Sequence, residues 1–174
     1  THKHIPSPTN CPACGHLLVQ EEIFIRCPDL FGCSEQIIAR LTHYVSKHCM
    51  DIDGLGPSYI IQLVEQWLIH SPVDLYNLHQ YVDKLLSIDG FGTKRVDKLI
   101  SELERSKTTD LGRIIHAIGF PGIGKKMAQE IAKAYSTQVH NKQFTTWWSS
   151  LQTFLADEAS MIAIHGIGDK LVHD

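Results

Sequence analysis

One short pattern of apolar residues and glycines occurs four times in this chain of 174 residues, at 52–56, 88–92, 120–124 and 164–168. Each copy has an apolar residue, any residue, Gly, a second apolar residue and Gly, in that order. In the first three copies, apolar residues also follow four and seven positions after the second glycine. Such offsets lie on one face of a helix. Each copy therefore predicts a tight hairpin that leads into a helix, and the four together indicate an internal repeat.

Helical periodicity also marks the chain between the copies. The predicted helices span 59–69, 82–86, 96–103, 111–118 and 127–135, with further pieces within 144–164. Asp110 is expected to cap the helix that begins at residue 111, because its side chain can accept a hydrogen bond from the first turn. A cluster at helical spacing favours core packing over an exposed stacking platform. Its members are Trp147, Trp148, Leu151 and Phe154.

Before residue 50 the chain has few apolar side chains, and four cysteines dominate its pattern. They form a C-x2-C pair and, twelve residues later, a C-x5-C pair: Cys11, Cys14, Cys27 and Cys33. A Cys-x-x-Cys turn followed by Gly lets two thiolates converge on one ion, and the second pair completes four tetrahedral ligands. The alternative is two structural disulfides. Because nothing marks the chain as secreted, the pattern favours zinc bound by thiolates.

This zinc is expected to be structural, because four thiolates leave no coordination position open for water or substrate. A module with so few apolar side chains is not expected to fold without its ion. Three histidines lie close enough in sequence to replace one cysteine: His16, His43 and His48. Cys49 is interpreted as a small buried hydrophobic residue. Residues 17–26 predict a short β-hairpin, and residues 35–49 a helix that connects the module to the first copy.

The net charge of −3 is unevenly distributed. Residues 1–50 sum to zero, 51–87 to −4 and 136–174 to −2, whereas 88–135 carry nine Lys and Arg against six Asp and Glu, or +3. Positive charge is therefore concentrated on the second and third copies, where it can attract phosphate. With 43% hydrophobic and 20% charged residues, the composition is that of a folded soluble protein. No run of about 18 apolar residues predicts a membrane span.

A hairpin that leads into a helix suits phosphate binding. The first N–H groups of a helix have no intrahelical partner, and the helix dipole attracts an anion to that end. Glycines let a DNA strand approach these amides because they carry no Cβ. Such contacts carry no base information, so binding is expected to be independent of sequence. The candidate DNA-contacting residues are Gly90, Gly92, Lys94, Arg95, Gly122, Gly124, Lys125, Lys126, Gly166, Gly168 and Lys170.

The four copies differ in the residues that follow the second glycine. The second and third copies have two basic residues each within three positions, whereas the first has Pro57, Ser58 and Tyr59 in an acidic segment. The first copy is therefore interpreted as mostly structural. The fourth copy has Asp169 and Lys170, but its helix is truncated.

Several segments of this sequence closely resemble the C-terminal half of bacterial NAD-dependent DNA ligases. They are Cys-Pro-Ala-Cys-Gly at 11–15, Leu-Thr-His-Tyr-Val-Ser at 41–46, Met-Asp-Ile-Asp-Gly-Leu-Gly at 50–56 and Pro-Val-Asp-Leu-Tyr-Asn-Leu at 72–78. The resemblance implies a mainly α fold. A linker at 1–10 precedes a four-cysteine zinc finger with a short β-hairpin and a connecting helix at 11–49. Tandem helix-hairpin-helix motifs then occupy 50–174, with the fourth truncated.

The resemblance also implies a function. This region would clamp nicked double-stranded DNA in replication and repair, while N-terminal adenylation and oligonucleotide-binding domains perform the sealing with NAD and magnesium. The adenylation motif Lys-x-Asp-Gly is absent, so we interpret the chain as an excised, non-catalytic fragment of a cytoplasmic, nucleoid-associated enzyme. Two alternatives remain: a DNA-binding subunit of a repair nuclease or helicase, and a zinc-dependent protein-interaction module.

Overall fold

A computed structural model of the chain describes residues 7–21, 23–138, 144–164 and 167. The described fold is mainly α with one two-stranded sheet, as predicted. In chain order the elements are β1 (Val19–Glu21), β2 (Phe24–Arg26), α1 (Ser34–Val45), α2 (Pro57–Glu65), α3 (Pro72–Tyr76), a 3-10 turn (Leu78–Tyr81), α4 (Val82–Leu86), α5 (Thr93–Ser106), α6 (Leu111–Ile118), α7 (Lys125–Gln138), α8 (Phe144–Ala156) and α9 (Glu158–Ile162). None of these helices has both the length and the apolar character that crossing a membrane requires.

The described residues form two compact units. Unit 1 consists of residues 1–43 and 53–104, and unit 2 of residues 44–52 and 105–174. Unit 1 therefore contains the four cysteines, both glycines of the first hairpin and the whole second hairpin, whereas unit 2 contains the third hairpin and the described part of the fourth. The domain boundaries at residues 10 and 50 follow the sequence motifs, and they stay predictions.

In unit 1, the residues predicted to face the core are buried. Ile60 and Leu63 in α2, and Val96 and Leu99 in α5, occupy the positions four and seven after the second glycines, and each is at most 1% exposed. Phe91, between the two glycines of the second hairpin, is equally buried. The periodicity of the repeat is thus the periodicity of the hydrophobic core.

Unit 2 has one continuous core that joins the third and fourth hairpins. Its buried members are Ile115, Ala128, Ile131, Tyr135, Leu151, Phe154, Met161, Ile164 and Ile167. The predicted core role of Leu151 and Phe154 is confirmed, whereas the side chains of Trp147 and Trp148 lie outside the described part. Helices α6 and α7 approach closely at Gly112, where an added Cβ would lie 3.2 Å from the Cα of Gln129.

The end of one predicted helix is wrong: α2 stops at Glu65 instead of continuing to residue 69. Trp67 has a left-handed backbone, with φ of 56°, and its N–H donates to the Val64 carbonyl. The next N–H, of Leu68, donates to the carbonyl of Leu63 at 2.9 Å. This is the hydrogen-bond pattern that closes a helix at a left-handed residue. A tryptophan here replaces the usual glycine, so the sequence carried no stop signal.

Two further differences concern short segments. Helix α1 ends at Val45, so the connection predicted as helical to residue 49 is a loop. Helix α3 was not predicted from the apolar pattern. It begins with a capping box, in which the Asp74 carboxylate accepts from the backbone N–H of Ser71 at 2.8 Å and from that of His70 at 2.9 Å.

Candidate metal centre and nucleic-acid interface

The first cysteine pair lies on a tight turn at the start of the described chain. The N–H of Gly15 donates to the Cys11 carbonyl at 2.8 Å, and the N–H of Cys11 donates to the His16 carbonyl at 2.8 Å. Gly15 has a φ of 77°, a conformation that glycine adopts without the steric cost of a Cβ. The turn thereby directs Cys11 and Cys14 to the same side of the backbone.

The four predicted cysteine ligands converge on one point. Their sulfur atoms all lie within 4.8 Å of one another. The Sγ atoms of Cys11 and Cys33 are 3.9 Å apart, and those of Cys14 and Cys27 are 3.5 Å apart. A tetrahedral zinc ion with Zn–S distances of about 2.3 Å requires sulfur separations of about 3.8 Å. The four residues therefore fit a metal ion of the size of zinc.

The disulfide alternative does not fit these positions. A disulfide joins its sulfur atoms at about 2.05 Å, well below the separations found here, and none of the four cysteines is in a disulfide. A histidine ligand is not needed either, because the four sulfurs already form a complete tetrahedral set. His16 instead places its Nδ1 3.4 Å from Oδ2 of Asp29.

The protonation of the cysteines explains why a cation suits this cluster. Backbone hydrogen bonds from Cys14 and Ala13 lower the pKa of Cys11 to about 7. A backbone hydrogen bond from His16 favours the Cys14 thiolate, but burial and the neighbouring thiols outweigh it and raise the pKa of Cys14 to about 12. Burial raises the pKa of Cys27 as well. One proton is thus released easily, and a divalent cation would displace the others.

The part of the module before α1 provides little core of its own. Its buried side chains among the described residues are Cys11, Cys27 and Cys33, with Cys14 and Leu18 partly buried against them. Strands β1 and β2 pair in antiparallel register, and every residue of both is exposed. Strands this short and exposed are not stable by themselves. The cysteine cluster is therefore the structural centre of the module.

The first glycine of each described hairpin is required by its backbone. Gly54, Gly90 and Gly122 have φ values of 91°, 82° and 74°, a region in which other residues are strained. The N–H of Phe91 donates to the Ile88 carbonyl, and that of Ile123 to the Phe120 carbonyl, both at 3.1 Å. A four-residue turn with positive φ at its third residue takes glycine there. The turn alone thus explains the first glycine.

The second glycine of each described hairpin is not explained by packing within the chain. A Cβ added to Gly56, Gly92 or Gly124 would meet nothing within 4 Å. Each of these glycines directly precedes a helix, and its carbonyl accepts the first hydrogen bonds of α2, α5 or α7. The space beside these three glycines lies next to the free N–H groups of a helix start.

The charges at two of these helix starts oppose the helix dipole. Helices α2, α5 and α7 have no acidic residue in the first turn, as is also true of α6 and α8, whereas α1, α3, α4 and α9 each have one. Helices α5 and α7 have basic residues there instead, which the helix dipole disfavours. Within the described part of the chain, none of these basic side chains has a carboxylate partner. They are Lys94, Arg95, Lys125 and Lys126.

The first hairpin offers fewer backbone N–H groups for hydrogen bonding than the other two described hairpins. Pro57 is the first residue of α2, so this helix start lacks one N–H group. The predicted site residues Gly166, Gly168 and Lys170 of the fourth hairpin lie outside the described residues. Of that hairpin, Ile164 and Ile167 are described, and both are buried.

Sequence reasoning missed Tyr59, which the structure places beside the second hairpin. Its ring lies 4.2 Å below the guanidinium carbon of Arg95 and 5.0 Å from the ring of Phe91. One signal was available: Tyr59 and Arg95 both stand three residues after the second glycine of their copies. The sequence did not show that these equivalent positions meet.

A known family model matches the region of the first two hairpins. Residues 47–105 match the model described as a SAM-like helix-hairpin-helix tandem. These two hairpins are thus helix-hairpin-helix motifs, as the resemblance implied.

Over a longer stretch, the chain is similar to DNA ligases. It is 41% identical to a DNA ligase of Pediococcus pentosaceus over 142 residues, which cover 79% of this chain and 20% of the relative. It is 36% identical to a DNA ligase of Gluconobacter oxydans over 172 residues, which cover 96% of this chain and 24% of that relative. It is 37% identical to a DNA ligase of Psychrobacter cryohalolentis over 130 residues, which cover 74% of this chain and 19% of that relative. The chain spans about a fifth of the length of these relatives. The resemblance to DNA ligases is confirmed, and this chain is related to one segment of them.

Proposed function

We propose that this chain is the DNA-binding region of a bacterial NAD-dependent DNA ligase, an enzyme that seals nicks in DNA replication and repair. It holds nicked double-stranded DNA through the sugar-phosphate backbone and does not read base sequence. The observation that carries this proposal is the free space at the second glycines beside helix starts with unpaired basic side chains. The similarity of the chain to a segment of DNA ligases supports it.

Phosphate groups bind at the second and third hairpins. At Gly92 and Gly124 a phosphate reaches the first N–H groups of α5 and α7, and the helix dipole favours its charge. The basic residues that follow add attraction that salt weakens. The first hairpin contributes fewer amides because of Pro57. In the fourth hairpin, Gly166, Gly168 and Lys170 are assigned the same role from the sequence motif.

The four cysteines hold a structural zinc ion. The ion links the turn at Cys11 and Cys14 to the segments at Cys27 and Cys33, and it replaces the hydrophobic core that the part of the module before α1 lacks. No substrate contact is assigned to it, because its four coordination positions are all taken by thiolates.

Catalysis belongs to other domains of the enzyme. No residue of this chain is assigned a catalytic role, and NAD and magnesium act in the adenylation and oligonucleotide-binding domains. These domains, together with nicked DNA, are the partners of this chain in the cytoplasm, where the enzyme associates with the nucleoid. The alternatives, a subunit of a repair nuclease or helicase and a protein-interaction module, are disfavoured by the similarity to ligases over most of the chain.

The test is binding of fluorescent nicked and intact duplexes of unrelated sequence, measured by anisotropy across a salt series. We expect similar affinities for unrelated sequences, and a log Kd that rises with log salt by about 0.9 per phosphate contact. The double variant Lys125→Gln/Lys126→Gln is expected to bind more weakly and to lower that slope.

Lys133→Gln is the matched control, because Lys133 is an exposed lysine of the same helix. It lies eight residues beyond Lys125, or about 12 Å along the axis, away from the glycine end. Its effect on affinity should be small. Binding that ignores salt, or equal losses in the control and the double variant, would contradict phosphate contacts at this hairpin.

A further inference from the structure

The first and second hairpins meet through two equivalent residues. Tyr59 and Arg95 each stand at the third position after the second glycine, in the first turns of α2 and α5. The guanidinium carbon of Arg95 lies 4.2 Å from the centroid of the Tyr59 ring, inside the range of a cation–π contact. The repeat thus brings together an aromatic face and a cation.

The Tyr59 ring is fixed in place by the second hairpin. It packs edge-to-face against Phe91, with centroids 5.0 Å apart and an interplanar angle of 83°, and Phe91 is only 1% exposed. On another side, a Cβ at Gly90 would lie 3.3 Å from Cε1 of Tyr59 and 3.4 Å from its hydroxyl oxygen. Gly90 therefore serves both the turn and the close approach of this ring.

Stacking on a ring leaves Arg95 available for an anion. A guanidinium group carries its five N–H donors in its own plane, so a ring against its face does not compete for them. Within the described part of the chain, Arg95 has no carboxylate partner. By contrast, the equivalent residues of the third and fourth copies are Met127 and Leu171, so this cation–aromatic pair is specific to the first two copies.

We propose that Tyr59 is a positioning residue for DNA binding: it is an aromatic platform that holds the Arg95 guanidinium toward the phosphate bound at the second hairpin. The first hairpin thus contributes to binding through this side chain rather than through its glycine amides. This inference rests on the proposed function, because it concerns the same phosphate contact.

The experiment is a double-mutant cycle in the complete enzyme, with Kd for a nicked duplex as the readout. Tyr59→Leu, which removes the ring, should weaken binding roughly two- to fivefold, the range of an exposed cation–π contact. Tyr59→Phe, which retains the ring, should bind like the parent. In an Arg95→Gln background, Tyr59→Leu should have no further effect, because the residue it positions is gone.

Two measurements separate this role from a loss of folding. Tyr81→Leu is the control, because it removes another cation–aromatic contact, in which Lys84 lies over the Tyr81 ring at 5.4 Å. Lys84 lies in α4, before the second hairpin, and not at the start of α5, so the affinity of this variant should match that of the parent. The second measurement is the NMR chemical shift of the Arg95 side-chain protons in the DNA-free protein. It should change in Tyr59→Leu and remain the same in Tyr59→Phe, because an aromatic ring alters the chemical shifts of protons above its face. This second readout does not depend on DNA.

The outcomes distinguish the two proposals. If Lys125→Gln/Lys126→Gln weakens salt-dependent binding as expected but Tyr59→Leu binds like the parent, only the role of Tyr59 is wrong. Equal losses from Tyr59→Leu in the parent and in the Arg95→Gln background would also overturn it. If the parent enzyme shows no salt-dependent DNA binding, both proposals fail.

Discussion

Alanine substitutions at the two glycines of the third hairpin are expected to have opposite consequences. Gly122 has a φ of 74°, and an alanine in this left-handed region costs about 1–2 kcal/mol. For a chain of this size, that loss lowers the Tm by roughly 2–8 °C. The Gly122→Ala variant should therefore be less stable than the parent. At temperatures where it is folded, it should still bind DNA.

Gly124→Ala should show the reverse. The new Cβ meets nothing within 4 Å, so the free energy of unfolding should change by less than about 0.5 kcal/mol. The same methyl group occupies the space through which a phosphate approaches the first amides of α7. A lost hydrogen bond to a charged group is worth about 1.5–3 kcal/mol, which corresponds to roughly 10- to 150-fold weaker binding.

The assay combines thermal unfolding with anisotropy titration of a nicked duplex at fixed salt. Gly56→Ala is the matched control, because it has the same free space but precedes Pro57, whose missing N–H makes the first hairpin a weaker phosphate site. It should change neither quantity much. A change in Kd of less than about twofold is treated as negligible. A folded Gly124→Ala variant whose Kd lies within that limit of the parent's would refute phosphate approach at this glycine.

Three further predictions concern the parts that hold the fold together. A zinc chelator should unfold the cysteine module at 8–48 and leave most helical ellipticity intact, and zinc release without any change of structure there would contradict a structural metal. Asp74→Ala should lose about 1 kcal/mol in urea unfolding. Burial raises the pKa of Asp74, but hydrogen bonds from His70 and Ser71 outweigh it and hold the pKa below its usual value. Its contribution is then present above the unfolded pKa and disappears as pH falls through the folded one, so variant and parent should converge in acid. Arg113→Leu removes two hydrogen bonds of 2.7 Å to carbonyls of the loop after α1 and should cost about 3 kcal/mol in urea unfolding, whereas a loss below about 0.5 kcal/mol would show that they contribute little.

The helical core was predictable because the residues that a helix buries recur in the sequence at the helical period. Ile60, Val96 and Ala128 were assigned to core positions from their offset after the second glycine, and all three are at most 1% exposed. The cap at Asp110 was also predictable, and its carboxylate accepts from the N–H of Arg113 at 2.9 Å. The end of α2 was not, because Trp67 adopts a backbone conformation that its residue type does not favour.

The candidate site was only partly predictable, because its glycines look alike in the sequence. Gly122 and Gly124 were given one role, yet the backbone of the turn requires the first and leaves the second without a contact. The two roles can be distinguished only by the backbone dihedral angle of Gly122 and by the distances around Gly124. The pairing of Tyr59 with Arg95 likewise depends on which two copies pack together, and a repeat pattern does not specify that.

At the basic residues that begin α5 and α7, a substitution that stabilises the unbound protein is expected to weaken DNA binding. An aspartate or glutamate in place of Lys125 would suit the helix dipole and stabilise the unbound protein by about 0.3–1 kcal/mol. The same change would place a negative charge where a phosphate is proposed to bind. Variants selected only for thermal stability should therefore accumulate acidic residues at these two turns and lose affinity for DNA, which is a trade-off between stability and function located in two helical turns.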